Sequence, residues 1–212
     1  MKNIVHENRF IAERKEEFYF YQEQNKTDDR DESHSPSGRY KLVIEYFEYE
    51  VGIRHYGYSK GIITDSKNEI VAVIDRNYDY FPYCWIEKDS KEYLLCGIDY
   101  QGYTIVELKT GLTMSYVPKA AYEGLGFCWA AMHHKIENDK LAVEGCIWAQ
   151  EYEIVIYDIG NPLELPYKEI MRISPYESFN GWINENEFEY KDEDYQVKRI
   201  SVSDFKDDHD YI

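Results

Sequence analysis

Hydrophobic and polar residues alternate with a period of two along most of this chain, and stretches with a helical period are scarce. The alternation is clearest in six segments: RYKLVIEYF, NEIVAVID, EYLLCGID, YTIVELKTG, KLAVEGCIW and EYEIVIYD. These segments are rich in Val, Ile, Tyr and Leu, and turn-forming sequences such as SPSG, SKN and GNP bound them. Many short strands separated by regular turns predict an all-β sandwich, barrel or propeller, with almost no helix.

An internal repeat narrows the choice of fold. Three aromatic clusters, FPYCWIEK, GFCWAAMH and FNGWINEN, contain Trp85, Trp129 and Trp182, and each is followed by a turn and two further strand patterns. The early part of the chain fits the same template, with EFYFYQEQ as its first strand. We therefore predict one all-β domain over residues 1–212, with four repeats near 17–76, 77–119, 120–174 and 175–206. Four-stranded units of this size are typical of β-propeller blades. A small four-unit propeller-like fold is the prediction, and a twisted antiparallel sandwich or barrel is the alternative.

The template also makes predictions for segments outside the repeats. The fourth repeat lacks an obvious fourth strand, so we predict that NRFIAER near the N-terminus forms a strand that pairs with Val197–Val202 and closes the ring. The polar segment Asn25–Ser37 is predicted to be a mobile loop. The acidic C-terminal DFKDDHDYI is expected to be solvated. The three repeated tryptophans are expected to be buried at equivalent places between neighbouring sheets.

The composition restricts the class of partner. The net charge is -17, from 41 acidic and 24 basic residues, so most of the surface would repel nucleic acid and anionic membrane. A basic protein partner is compatible with this charge, and so is a homo-oligomer, although the charge also keeps an aromatic-rich protein in solution. The N-terminus has no apolar targeting segment, which favours a cytoplasmic location. There the four cysteines would be reduced, and the chain has no CxxC motif.

Several motifs resemble those of a known group of proteins. SPSGRY looks like the turn between the first two strands of a propeller blade, and CGIDYQGYTIVEL, GFCWA and WAQEYEIVIYDIGNP are similar to segments of a family of uncharacterised bacterial proteins with WD40- or TolB-like repeats. The resemblance spans most of Ser35–Pro166. It implies a shared structural unit, and it carries no activity that could be transferred to this chain.

Two adjacent histidines and two cysteines suggest a metal site at first sight. Neighbouring residues in a strand point to opposite faces, so His133 and His134 cannot easily bind one ion. Cys128 and Cys146 could approach each other, but Cys84 and Cys96 recur at matching places in the preceding repeat without a histidine beside them. Cysteines that recur in a repeat indicate buried packing. We therefore expect neither a metal nor another cofactor.

One candidate binding site is an aromatic platform for a sugar ring or a base, although simple packing is the commoner role of such side chains. Trp148 falls outside the repeat, and Tyr100 occupies the matching strand end in the preceding unit, with Asp99 and Glu151 nearby in the chain. The same surface could serve a glycoside hydrolase, which needs two carboxylates at a set separation. The carboxylates available near strand ends are Asp99, Glu144, Glu151 and Asp158.

The function expected from these features is binding rather than catalysis. We predict an acidic protein-interaction module that could neutralise a basic protein partner. The alternative is a carbohydrate-binding protein or a glycoside hydrolase that uses paired carboxylates.

Overall fold

The computed structural model describes residues 2–135, 139–148 and 150–204 and contains four antiparallel sheets. Sheet 1 contains β1 (Lys26–His34), β2 (Tyr40–Val51), β3 (Arg54–Asp65) and β4 (Ile70–Arg76). Sheet 2 contains β5 (Tyr83–Lys88), β6 (Lys91–Asp99), β7 (Gly102–Glu107) and β8 (Leu112–Tyr116). Sheet 3 contains β9 (Phe127–His134), β10 (Lys140–Ile147), β11 (Glu153–Asp158) and β12 (Lys168–Ile173). Sheet 4 contains β13 (Ser178–Trp182), β14 (Glu187–Lys191) and β15 (Val197–Ser201).

The helical part of the described chain is small. It consists of the helix α1 (Asn8–Glu17) and short 3-10 helices at Phe18–Phe20, Glu23–Asn25, Lys119–Glu123 and Val202–Asp204. None of the helices in the described ranges has the length and apolar content that crossing a membrane requires. The prediction of an all-β, propeller-like fold of four sheets is confirmed.

The strands follow one another in chain order within every sheet, so each sheet is a simple meander. In a meander, the turn between the second and third strands lies at the same end as the start of the first strand and the end of the fourth. The β2–β3, β6–β7, β10–β11 and β14–β15 turns therefore lie at the same end as the links between successive sheets. We call this end of the structure the connecting end.

Alternation along the strands places apolar side chains between neighbouring sheets. In sheet 1, Leu42 pairs with Ile63 across β2 and β3, and both side chains are buried. They belong to a cluster of buried residues that joins sheets 1 and 2. A second cluster joins sheet 2 to sheet 3, and a third joins sheet 3 to sheet 4. Within the described ranges, none of the buried clusters contains residues of both sheet 1 and sheet 4.

The prediction that NRFIAER forms a strand is wrong, because this segment forms most of the helix α1. The helix packs beside the link between sheets 2 and 3, where Ile4 and Phe10 share a cluster with Val117, and Asn3 forms a β-bridge with Pro118. A salt bridge between Arg9 and Glu13, four residues apart, supports the helical conformation. The predicted pairing with Val197–Val202 does not form, and ring closure loses its main support.

The predicted loop at Asn25–Ser37 is also wrong, because most of it forms β1 at the edge of sheet 1. An edge strand pairs on one side only, so charged side chains are tolerated and discourage pairing with other chains. The strand is held by contacts with β2, including the Lys26–Glu45 salt bridge and the hydrogen bond that Tyr46 donates to Asp31. The preceding EFYFYQEQ contains 3-10 helices instead of the predicted first strand. The C-terminal prediction concerns residues from 205 onward, which lie outside the described residues.

The three repeated tryptophans differ in burial. Trp129 is 4% exposed and stacks between Tyr103 and Tyr157, with ring centroids 4.3 and 5.1 Å away. Trp85 and Trp182 are only half-buried. Their indole N–H groups donate at the margins of the cores, to the Ser33 hydroxyl at 2.9 Å and to the His133 carbonyl at 3.0 Å. The prediction of equal burial is therefore wrong for two of the three.

We predict that Trp129→Ala lowers the free energy of unfolding by about 3 to 5 kcal/mol, because it removes a large ring from a close-packed aromatic stack. Trp148→Ala is the control: its ring is 63% exposed, and the change should stay within about 0.5 kcal/mol. Urea unfolding followed by circular dichroism measures both values. Equal midpoints for the two variants would contradict the role assigned to the stack.

Candidate functional site

Three aromatic rings from successive sheets meet at the connecting end. Tyr78 lies in the link between β4 and β5, Tyr100 in the β6–β7 turn, and Trp148 in the β10–β11 turn. The Tyr78 and Tyr100 ring centroids are 4.4 Å apart, and those of Tyr100 and Trp148 are 5.6 Å apart at an interplanar angle of 89°. The structure therefore brings Tyr100 and Trp148 together and adds Tyr78, which the sequence analysis did not identify. We call these three residues the aromatic row.

Acidic side chains accompany the aromatic row. Asp79 follows Tyr78 in the chain and is exposed, and Glu151 is exposed in the same turn as Trp148. Asp99 has a different role, because its carboxylate accepts the backbone N–H of Tyr100 at 2.6 Å and the side-chain amide of Asn77 at 3.1 Å. Asp99 thus shapes the turn that carries Tyr100. Burial, together with Tyr78 and Asp79, raises the pKa of Tyr100 to about 12, which keeps its hydroxyl neutral.

A buried arginine fixes the first two members of the row. Arg76, at the end of β4, is 2% exposed and donates to the Tyr80 carbonyl at 2.7 Å and to the Asp99 carbonyl at 2.8 Å. Its guanidinium lies 5.8 Å from the centre of the Tyr78 ring. Gly97 leaves room for this group, since a Cβ atom there would overlap the guanidinium. The arginine therefore connects sheet 1, the β4–β5 link and sheet 2.

Helix α1 supports the same junction from outside. Arg14 donates to the Asp75 carbonyl at 2.5 Å and to the Ile98 carbonyl at 3.2 Å, so it bridges sheets 1 and 2. Glu17 accepts from Asn77 at 3.2 Å, and Asn77 also donates to Asp99. Burial raises the pKa of the Glu17 carboxyl. The sequence analysis missed both helix residues because it assigned this segment to strands.

We predict that Arg76→Met lowers the free energy of unfolding by about 3 kcal/mol, because two buried carbonyls lose a charged donor. The matched control is Arg199→Met, which removes an exposed pair with Glu189 and should cost less than about 1 kcal/mol. Urea titration of both variants gives the comparison. If the two arginines prove equally dispensable, Arg76 does not hold the sheets together.

The histidine and cysteine stretch forms a polar contact and a packed pair. The His133 ring lies 2.7 Å from a Glu144 carboxylate oxygen across β9 and β10, and Tyr176 donates to the other oxygen at 2.8 Å. Cys128 and Cys146 are directly opposed in the register of the same strands, and burial raises the pKa of Cys128 to about 11. Throughout residues 2–135, 139–148 and 150–204, no three His, Cys, Asp or Glu side chains are grouped to hold a metal ion.

The pKa of Glu144 reflects these contacts. Burial raises it, but the hydrogen bonds from His133 and Tyr176 outweigh burial, and the pKa is below the ordinary value. A glycosidase acid requires the opposite shift, because it must carry a proton at working pH. Asp158 accepts the backbone N–H of Gly160 at 2.8 Å, which places it in the structure of its own turn.

We predict that Glu144→Gln destabilises the protein by about 1 to 3 kcal/mol at pH 7, because the charged acceptor of two hydrogen bonds is lost. A carboxylate whose pKa is lowered by folding stabilises the protein above its unfolded pKa, and this contribution disappears as the pH falls through the folded pKa. The difference between parent and variant should therefore shrink as the pH falls from about 5 to about 3, first through the ordinary Glu pKa of about 4.3 and then through the lower pKa of the folded protein. Urea unfolding across this range measures the difference, and a difference that stays constant would contradict the role assigned to the carboxylate.

Comparison with known proteins gives one clear relative. The chain is 33% identical over 183 residues to the uncharacterised protein R762 of Acanthamoeba polyphaga mimivirus, covering 81% of this chain and 70% of that protein. At this identity and coverage the two proteins belong to one family. No protein-family model matches the sequence. Among solved structures, the chain is similar to dihydro-heme d1 dehydrogenase NirN in complex with DHE, at 14% identity and a TM-score of 0.44. That similarity covers 82% of this chain and 38% of the NirN chain.

Proposed function

We propose that this chain, which belongs to the family of the mimivirus protein R762, is a non-catalytic interaction module that binds a basic segment of a partner protein at the aromatic row. The observation that carries the proposal is the corner formed by the Tyr100 and Trp148 rings at the connecting end. Its wider setting remains part of the proposal: a cytoplasmic location, and relatives among bacterial proteins with WD40- or TolB-like repeats.

The shape of the row favours a cation over a flat ring. Two rings at 89° present faces in different directions, whereas a sugar or a base stacks best on one broad face. A lysine or arginine side chain can approach two ring faces at a corner, and each cation–π contact contributes about 0.5 to 2 kcal/mol. Trp148 is exposed enough to make such a contact without rearrangement.

The charge around the row supports the same class of partner. Asp79 and Glu151 are exposed in the same segments as Tyr78 and Trp148, and Arg76, whose guanidinium lies 5.8 Å from the centre of the Tyr78 ring, is buried. Carboxylates next to aromatic faces suit a side chain that carries both an apolar stem and a positive head. The net charge of -17 adds long-range attraction for a basic partner, which raises its association rate at low salt.

The test is calorimetric titration with a decalysine and a decaarginine peptide, and with a decaglutamate peptide as a negative control. We expect binding of the basic peptides, weakening as NaCl rises. Trp148→Ala should reduce their affinity about 5- to 30-fold, because the cation loses one ring face. Tyr195→Ala is the matched control, since Tyr195 is about as exposed as Trp148 but lies in the β14–β15 turn. This variant should bind the basic peptides with the same affinity as the parent protein.

Two results would contradict the proposal. Equal losses in both variants, or none in either, would mean that the peptides bind to surface charge and not to the aromatic row. Hydrolysis of an aryl glycoside by the parent protein, abolished by Asp99→Asn, would instead favour the glycoside hydrolase.

A further inference from the structure

A cavity of about 210 Å³ lies between sheets 2 and 3, beside the link that connects them. Aromatic and apolar side chains form most of its wall. The residues that decide its chemistry are Tyr103, Tyr116, Phe127, Trp129, Tyr167 and Arg172. A dry apolar cavity of roughly 150 Å³ in another protein binds benzene, so this cavity has room for a substituted single ring.

The cavity borders a continuous stack of rings. Tyr103 stacks on Trp129 at 4.3 Å and on Tyr167 at 5.1 Å, and the Tyr116 ring lies 5.6 Å from Tyr103. Tyr103 and Trp129 each have a neighbouring ring on both faces, so they offer their ring edges to a planar aromatic molecule in the cavity. The stack is buried in the largest core cluster of the fold, so its rings are held in place before any ligand arrives.

The tyrosine hydroxyls of this stack differ in their hydrogen bonds. The Tyr103 hydroxyl accepts the backbone N–H of Tyr167 at 2.9 Å, and the Tyr167 hydroxyl donates to the Pro162 carbonyl at 2.8 Å. Tyr116 is 4% exposed, and its buried hydroxyl has no hydrogen-bond partner in the described part of the chain. An unpaired buried hydroxyl is unfavourable, and Tyr116 is part of the cavity wall, so a ligand whose polar atom reaches this hydroxyl would be bound selectively.

Charge at the rim indicates a neutral ligand. Arg172 lies over the Phe127 ring at 5.2 Å, but it is paired with both Glu169 and Glu153. These two carboxylates raise the pKa of Arg172 and neutralise its charge locally. The rim therefore offers no net positive charge to an anionic group.

We propose that this cavity is a binding site for a small neutral aromatic molecule that carries one hydroxyl or similar polar group, and that the Tyr116 hydroxyl forms the hydrogen bond to that group. The cavity is lined by residues other than the three of the aromatic row, and the proposal does not depend on the proposed partner.

The probes are p-cresol and p-xylene, which have the same shape and differ in one hydroxyl. Ligand-observed NMR and calorimetric titration should show both binding to the parent protein. In Tyr116→Phe the affinity for p-cresol should fall about tenfold, since its hydroxyl would be buried without a partner, while p-xylene should bind as before or more tightly. Tyr190→Phe, in sheet 4, is the matched control and should change neither affinity.

A second variant tests the location. Ala120 lines the cavity, and Ala120→Phe should fill it and abolish binding of both probes, with a far-UV circular dichroism spectrum like that of the parent. Thermal melting of ligand-free Tyr116→Phe should occur at or above the parent temperature, because the substitution removes an unpaired hydroxyl. Failure of both probes to bind the parent at millimolar concentration would overturn the proposal. So would binding that survives Ala120→Phe, or a p-cresol affinity that Tyr116→Phe leaves unchanged.

Discussion

The burial of the Arg76 guanidinium is the constraint on which the junction of sheets 1 and 2 depends. Removing such a charge from water is costly unless its donors are satisfied, and here the acceptors are the carbonyls of Tyr80 and Asp99, which belong to different parts of the fold. The arrangement therefore fixes the distance between the two sheets. The arrangement depends on the glycine at position 97, because the Cβ atom of any larger residue would overlap the guanidinium.

This junction positions Tyr78 and Tyr100, two of the three members of the aromatic row. Asp99 supplies a carbonyl to Arg76 and a carboxylate to the N–H of Tyr100, so the turn is held on both sides. Helix α1 covers the junction and contributes Arg14, whose two contacts reach β4 and β6. A binding surface built on turns is usually mobile, but turns held in this way can present side chains without a large entropic cost on binding.

Sequence patterns predicted the parts of the structure that local physics determines. The six segments all contribute to strands. In β2 the buried residues Leu42 and Ile44 alternate with less buried ones, whereas β7 is buried on both faces and was recognised by its β-branched and aromatic residues. The charged strand β1 was not predicted because an edge strand needs no apolar face. The helix α1 was predicted to be a strand because it buries only Phe10 and therefore shows no helical pattern of apolar residues. Spacings such as Arg9–Glu13 could have indicated the helix. The contact of Tyr100 with Trp148 followed from matched positions in the repeat, whereas Arg76 and Tyr116 depend on contacts that no local pattern encodes.

Part of the tyrosine content of the described chain serves packing between sheets. Large flat rings fill the space between sheets 2 and 3 by stacking, as Tyr167, Tyr103, Trp129 and Tyr157 do. Each tyrosine then brings a hydroxyl that must reach a partner or the solvent. Tyr103 and Tyr167 form such hydrogen bonds, but the packing of rings and the placing of hydroxyls are separate requirements. Tyr116 is part of a cavity wall, and its hydroxyl has no hydrogen-bond partner among the described residues. The proposed small-molecule site rests on these two properties.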